Sequence, residues 1–310
     1  MNEQIHPYDT AYESALLALE QQCPQGKVVQ LVMDREHFIT RSVVFDRYGM
    51  LTYWLDGELV SVSARAKSMF ILNGKEENVN FLYDARTHPA FRNRKAQTTI
   101  AKRLVTEFSQ PNGLIRSIIT VKANNLTMLW LGRKHGGKFT YKFTYLTIPT
   151  RQQIALPADD RLAKQPLFST DLLTRREELQ SFYTQYDGSL GVWHLDQIYQ
   201  LRVVHLAGWL RLIKRLTEGI SGRKVPIPNQ GETLRMRLLM GFQPQHATKL
   251  NVILDDLAQQ GIDYLLVATH SQDGLYRWLK PHAIDTTPYV LLADFPLLQT
   301  DQLTIDVRCL

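Results

Sequence analysis

Apolar residues recur at helical spacing over residues 8–22, where Ala11, Ala15, Leu16 and Leu19 share a face, and a second short helix is predicted over 36–45. The period then changes. GMLTYWLDGELVSVSARAKSMFIL reads as two strands about an Asp56-Gly57 turn, and ENVNFLYDARTH as a third. From Ala96 the stripe Ala96, Ile100, Ala101, Leu104, Val105 and Phe108 predicts a helix that Pro111-Asn112-Gly113 stops. A strand over 114–121, a short helix over 125–134 ended by Gly136-Gly137, and the alternating KFTYKFTYLTI complete a mixed α/β first half. An early strand near Ile5 is also expected.

Residues 150–170 lack periodicity, carry two prolines and read as a linker. Beyond them the pattern predicts helices over 172–186 and 195–216, a loop at SGRKVPIPNQGE and a strand at LRMRLLMGF. A helix over 248–259, a strand over 263–269, a short helix over 274–280 and a strand over 289–293 follow. Segments 78–147 and 233–293 thus share one order: strand, helix, strand, short helix, strand. That order suggests an internal duplication, with units at 1–150 and 171–310 and the second copy shorter. The expected class is α/β (α+β), two units each with a mostly antiparallel sheet flanked by helices.

Composition narrows the function. The hydrophobic fraction of 44% and charged fraction of 21% suit a packed chain, and no run approaches the ~20 apolar residues of a membrane span. The N-terminus lacks the pattern of a secretory signal, so a cytoplasmic protein with no membrane partner is expected. Cys23 and Cys309 lie near opposite ends without metal-ligand spacing, and read as free thiols in a reducing compartment. None of the nine histidines forms His-x-x-x-His or pairs with cysteine, so no metal is expected. The net charge of +6 favours a polyanionic partner, of which a nucleic acid is one and a nucleotide cofactor another; a nucleic acid, resting on charge alone, is the less expected. The 195–216 segment, with Arg202, Arg211, Lys214 and Arg215 beside Trp209, reads as a core element or as an interface with a second copy.

One stretch carries candidate chemistry. In THPAFRNRKAQTTIAKRL, residues 87–104, a strand ends in His-Pro, a basic turn follows and a helix opens. A helix N-terminus offers unpaired N–H groups and a positive dipole end, which suits a phosphate.

LYDARTHPAFRNRKAQTTIAKRLVTEF resembles the cofactor-binding segment of the GNAT superfamily of N-acyltransferases, in which a strand ends in a Pro-x-x-Arg turn and a glycine-rich loop opens a helix. VKANNLTMLWLGRKHGGKF, residues 121–139, resembles that family's second segment, an Asn, a short helix and a Gly-Phe. The resemblance covers the first half, and more faintly the second. It implies a splayed sheet holding acetyl-CoA or another acyl-CoA, and a small-molecule or peptide amine as acceptor. By it, the pyrophosphate lies on Arg92, Arg94, Lys95, Ala96, Gln97 and Thr98. The pantetheine runs along Ala85, Arg86 and Thr87, with Asn125 opening the later helix. Aligning Arg92 with the motif's first residue sets Lys95 and Gln97 at its two small positions. The family's leaving-group tyrosine falls on Gly132, so Tyr83, Tyr141 or a water would replace it. The base is sought at Asp84, or upstream at Glu76 and Glu77. Asp84 also reads as a hydrogen-bonded carboxylate at a strand end, and Tyr276 as a packing residue beside Trp278. Two functions follow: an acetyl-CoA-dependent N-acetyltransferase, or a catalytically decayed binding or sensor module of the same fold.

Overall fold

The computed structural model describes residues 2–26, 28–92, 94–108, 116–157, 162–221 and 228–310. In chain order the first half contains β1 (Glu3–Pro7), α1 (Glu13–Gln21), β2 (Val29–Asp34), α2 (Thr40–Val43), β3 (Tyr48–Leu55), β4 (Glu58–Leu72) and β5 (Lys75–Thr87). It continues with α3 (Ala96–Phe108), β6 (Arg116–Lys122), α4 (Leu126–Lys134) and β7 (Phe139–Pro149). Then come β8 (Phe168–Asp171), β9 (Tyr183–Asp187), β10 (Leu190–Trp193), α5 (Leu195–Ile198), β11 (Gln200–Leu206) and α6 (Gly208–Ser221). The last elements are β12 (Thr233–Leu234), β13 (Met236–Met240), α7 (Leu250–Gln259), β14 (Tyr264–Thr269), α8 (Gly274–Leu279), β15 (Asp285–Ala293) and β16 (Leu303–Asp306).

Local chemistry accounts for the elements read from the pattern. Asp56 and Gly57 both take positive φ, +50° and +85°, the geometry a two-residue hairpin requires, and they join β3 to β4. Helix α7 buries Leu250, Ile253, Leu254 and Leu257 as one stripe. Asn125 caps α4 by accepting from the Met128 N–H at 3.2 Å. Gly136, at φ +106°, turns the chain after the helix.

Two expected helices are different. Segment 172–186 holds a 3-10 turn over Glu177–Phe182 and then β9. Segment 195–216 breaks after one turn: Tyr199 is extended (φ −159°), β11 follows, and a helix resumes only at Gly208. The β-branched pair in QLRVVHL suits the strand, and Val203 and Leu206 are buried while His205 is exposed. The helix stop at 111–113 lies outside the described residues. So do 158–161 of the expected linker and part of the 221–232 loop. Around 158–161 the segment is packed, with Ile154, Leu162 and Phe168 buried.

A large sheet runs β1-β3-β4-β5-β6-β15-β7-β14-β13-β10-β9, with β16 on β4 and β8 on β16. Its centre is palindromic. β5 and β6 are parallel, β6–β15, β15–β7 and β7–β14 are antiparallel, and β14–β13 are parallel again. Strand β15 therefore enters the first half between β6 and β7, and β7 enters the second between β15 and β14. Helices α3 and α4 lie over the first half and α7 and α8 over the second, which is the repeated order seen in the sequence. The opposite face carries one core that spans both halves, from Leu16 and Phe38 through Phe81 and Tyr141 to Leu238 and Ile305. A small second sheet, β12-β11-β2, joins the halves again.

Gly241 closes β13 at φ +63°, and a Cβ there would stand 2.0 Å from the Ser189 carbonyl oxygen. Gly241→Ala is expected to cost about 1–3 kcal/mol, through backbone conflict and overpacking, and thermal unfolding of the variant checks it.

Candidate functional site

Beyond Leu82 and Ile119, the last parallel pair, β5 and β6 part. Residues Thr120–Lys122 of β6 turn to β15, while Tyr83–Thr87 of β5 stay on β4. The result is a splay with a free edge on β5. A bulge sharpens it: Val62 faces Arg86 and Ala64 faces Tyr83, so Asp84 and Ala85 together oppose Ser63. Asp84 adopts φ +50° there. The Arg86 carbonyl faces β4, so alternation turns the backbone groups of Ala85 and Thr87 the other way, where the Ala85 carbonyl accepts from Arg86 Nη1 at 3.2 Å and the Thr87 carbonyl from Cys23 Sγ at 3.4 Å.

The candidate turn follows. His88 caps a 3-10 turn over Pro89–Phe91 by accepting from the Ala90 N–H at 3.2 Å. Arg92 and Arg94 are exposed, Arg94 lies over the Phe91 ring, and Asn93 is outside the described residues. Lys95 takes φ +62°, the left-handed conformation that a glycine would favour, so a loop without glycine still makes the turn. The Thr99 N–H is bonded to the Lys95 carbonyl at 2.9 Å, which leaves the amides of Ala96, Gln97 and Thr98 as the first-turn donors of α3. Gln97 does not crowd the helix start. Its amide turns back to the sheet and donates to Ser61 Oγ (2.9 Å), the Val62 carbonyl (2.8 Å) and the Arg86 carbonyl (2.7 Å). It satisfies acceptors that the bulge strips from the ladder. Ala96 is buried, Thr98 half-buried, and Asn125 stands exposed at the start of α4 beyond β6.

Behind the bulge lies a buried ion network. Arg35 reaches Asp84 at 3.0 Å, and its Nε reaches Glu20 at 2.7 Å. Arg41 stands 3.4 Å from Asp84, and Arg86 lies 3.9 Å from Asp84 and 3.6 Å from Glu20. Three guanidinium groups meet the carboxylates of Asp84 and Glu20 next to the free edge of β5, and Arg41 also donates to the Leu310 backbone oxygen at 2.9 Å. Burial acts to raise the Asp84 pKa, but Arg35, then Arg41 and Arg86, override it and hold the carboxyl well below the usual range. A carboxylate so held is a poor proton acceptor, and geometry gives Asp84 the task of fixing the arginines. The Tyr83 hydroxyl donates to Ser42 Oγ at 2.8 Å, and burial raises its pKa. Tyr141 donates to the Leu167 carbonyl at 2.8 Å, and Glu77 pairs with Arg116 at 2.8 Å. Each is committed to a structural bond.

Two further phenols lie near the network and pack on the shared core. Tyr199, just before β11, and Tyr289, on β15, are half-buried, and burial raises the pKa of both. Both lie within electrostatic reach of Arg41, and the Tyr289 ring meets Tyr145 edge-on at 4.8 Å. Lys122, on the β6 lip, has its pKa lowered by burial, with Asp285 opposing and Arg86 adding to the shift. No pattern in the sequence marks Arg35, Arg41, Tyr199 or Tyr289. They come from the loop after β2, from α2 and from the other half. Gly132 carries no tyrosine for a steric reason: α4 packs so closely on β15 that a Cβ there would lie 2.6 Å from Leu292 Cδ1.

The second half repeats the splay but fills it. Beyond Leu238 and Leu266 strands β13 and β14 also part, and β8 lies in the gap. Thr170 Oγ1 donates to the Leu239 carbonyl at 2.8 Å, and the Gly241 N–H donates to the Thr170 carbonyl. Asp273 accepts from the Leu167 N–H at 2.7 Å and the Phe168 N–H at 3.3 Å. Tyr276 packs against the outer core beside the buried Trp278, whose Nε1 donates to the Ala155 carbonyl at 2.8 Å. Among the described residues, no group of His, Cys, Asp or Glu could hold a metal ion.

A splayed sheet, a bulge at the splay and a turn into a helix define an N-acyltransferase fold. No family model matches the sequence, and neither does any curated protein. Solved structures do. Saccharomyces cerevisiae N-myristoyltransferase with bound myristoyl-CoA matches with a TM-score of 0.54 at 8% identity, over 94% of this chain and 79% of that one. A second structure of that enzyme with myristoyl-CoA gives 0.52 at 10% identity, over 95% and 83%. A GCN5-related N-acetyltransferase from Kribbella flavida gives 0.46 at 10% identity, over 94% and 71%. The chain has the fold of the N-myristoyltransferase structures, a mixed α/β architecture with a mostly antiparallel sheet flanked by helices.

The ion network makes a prediction. Asp84→Ala leaves buried guanidinium groups short of an anion and is expected to cost about 3–5 kcal/mol in denaturant unfolding. Because the folded pKa of Asp84 is depressed, its stabilisation is present above the unfolded value of about 3.9 and is lost as pH falls below it. The unfolding midpoint of the wild type should therefore drop below about pH 4 more steeply than that of Asp84→Asn.

Proposed function

We propose that the chain is an acyl-CoA-dependent N-acyltransferase with its cofactor in the first-half splay and an amine as acceptor. The observation that carries this reading is the free edge of β5 beyond Leu82, opening onto a turn that keeps the shape of a phosphate loop. The residues fit the group. The first-turn amides of α3 and the cations Arg92, Arg94 and Lys95 suit a pyrophosphate. The backbone of Ala85 and Thr87 suits an extended pantetheine arm, added as a strand would be, once the arm displaces the Arg86 and Cys23 side chains from their carbonyls. Acyl-CoA supplies an activated thioester to an amine nucleophile.

The chain's own groups then have distinct tasks. The guanidinium groups of Arg35, Arg41 and Arg86, fixed by Asp84, Glu20 and the Leu310 oxygen, set oriented donors beside the splay. Burial keeps Tyr199 and Tyr289 neutral, so each can donate a hydrogen bond to a developing thiolate rather than transfer its proton. Tyr83 and Asp84 position this set from behind. The similarity to a myristoyl-CoA-bound enzyme makes a long acyl chain an alternative to acetyl. A non-catalytic acyl-CoA binder is the second reading. Gly132 favours it, standing where the family's tyrosine would and closed to a larger side chain.

Thermal unfolding is to be measured with CoA, acetyl-CoA and myristoyl-CoA. Ligand at about 100 times its Kd should stabilise by ~2.7 kcal/mol, and no shift with any of the three would sink the site. A shift followed by transfer to a panel of amines establishes the enzyme; a shift without transfer establishes the binder. Lys95→Gly separates shape from charge. Glycine fits φ +62°, so the unfolding free energy should stay within about 1 kcal/mol of wild type. CoA affinity should fall by about 1–3 kcal/mol, as it should for Arg94→Ala.

A further inference from the structure

Across the splay from the bulge stands Lys122. It lies three residues past Ile119 on β6, as Ala85 lies three past Leu82 on β5, so the parting strands carry the two at about the same height on either side of the gap. Alternation fixes its side of the sheet. Ile119 and Val121 pack with α4, while Ile118 joins the shared core and Thr120 Oγ1 donates to the Cys309 carbonyl at 3.2 Å. Lys122 follows Thr120 on the core side, where its partner on β15, Tyr289, also packs. Arg35, Arg41 and Arg86 are all held by carboxylates. The half-buried amine of Lys122 has neither a salt bridge nor a hydrogen bond among the described residues. Burial lowers its pKa, Asp285 on β15 opposes the shift and Arg86 across the gap adds to it. A lysine desolvated beside another cation is an activated nucleophile, because more of it is the free amine.

We propose that Lys122 is an internal acyl acceptor, and that the chain acylates itself at this amine from a bound acyl-CoA. The proposal rests on the reading of the first-half splay as the acyl-CoA site. The direction of the cofactor selects Lys122. With the pyrophosphate at the turn before α3, an arm laid along Thr87 and Ala85 runs toward the vertex at Leu82 and Ile119, and its thioester end comes to the level of Asp84 and Ala85. Lys122 faces that level from β6. Lys95, Lys102 and Lys134, by contrast, are exposed on the turn and helices of the opposite face. Nζ, as the free amine, adds to the thioester carbonyl carbon. The C–N bond forms, the C–S bond breaks with its electron pair left on the CoA sulfur, and the proton shed by the nitrogen reaches that sulfur through solvent. The products are an amide on Lys122 and free CoA. The amide carries no charge, so the modified side chain no longer repels Arg86.

The test begins without any acyl-CoA. Reductive methylation of the folded chain with limiting formaldehyde and borohydride should label Lys122 at least about tenfold faster than the exposed Lys67, Lys75 and Lys249, and free CoA should protect it. The full chain is then incubated with acetyl-CoA, and separately with myristoyl-CoA, and its peptides are mapped by mass. One acyl group should appear at Lys122 from at least one thioester, about tenfold or more faster than at the three exposed lysines. Lys122→Arg, which keeps length and charge, should remove it, and the thermal midpoint of the variant verifies that it folds. Methylation or acylation of Lys122 no faster than of the exposed lysines, or transfer to another residue, overturns the proposal, and thermal stabilisation by CoA in the same samples then leaves the acyl-CoA site standing. If CoA neither stabilises the chain nor protects Lys122, the reading of the site fails and the proposal with it.

Discussion

The pairing of β7 with β15 is the constraint on which the rest of the structure depends. Nine residue pairs join them, from Asp285–Thr147 to Ala293–Phe139, and each strand has its other edge on the half from which its partner comes. Neither half then closes its sheet alone, and both halves share the core on one face. This geometry also opens the site. Because β15 takes the outer edge of β6, and β6 bends with it, β5 is left with a free edge beyond Leu82. The splay is a consequence of whom β6 pairs with, and the bulge at Asp84 adapts β5 to the divergence.

A free edge next to a bulge would be an unstable place without support, and the ion network supplies it. Burying five charged groups costs desolvation that attraction repays only in good geometry. Here Arg35 bonds Glu20, Asp84 and the Phe38 carbonyl at once, tying α1, β5 and the loop after β2 to one point. Such a network is weak evidence for stability, and a hydrophobic replacement of the whole set could be as stable. What that replacement would lack is a set of fixed guanidinium groups at the mouth of a splay.

Legibility in the sequence followed the range of the interactions. The β3–β4 hairpin was legible because Asp56-Gly57 has the required turn chemistry, and α3 and α7 because their stripes persist over several turns. The phosphate-type turn was legible as strand, basic turn and helix, although its shape rests on Lys95 accepting a conformation that the residue type does not advertise. Segment 195–216 misled because Leu, Val and Arg suit helix and strand alike. The break at Tyr199 comes from β11 pairing with β2, a strand from the far end of the chain, through Arg202–Val32 and its neighbours. The partners of Asp84 were illegible for the same reason. Arg35 and Arg41 stand two strands and a hairpin upstream of it, and Tyr199 and Tyr289 come from the second half.

The two splays differ in what fills them, and that difference assigns the halves their parts. In the second half the chain's own Phe168–Asp171 segment lies between β13 and β14, with Thr170 bonded to Leu239 and Gly241. A segment tethered in this way competes at a high effective concentration against any ligand for the same backbone. The basic turn is also missing there, since Pro244–Lys249 forms a short 3-10 helix whose His246 side chain caps its own start. In the first half both features are reversed: the edge is open and the turn is basic. The first half thus has an open edge beside a basic turn, while the second half, with its gap closed by its own chain, places Tyr199 and Tyr289 near the Arg41 side chain of the first.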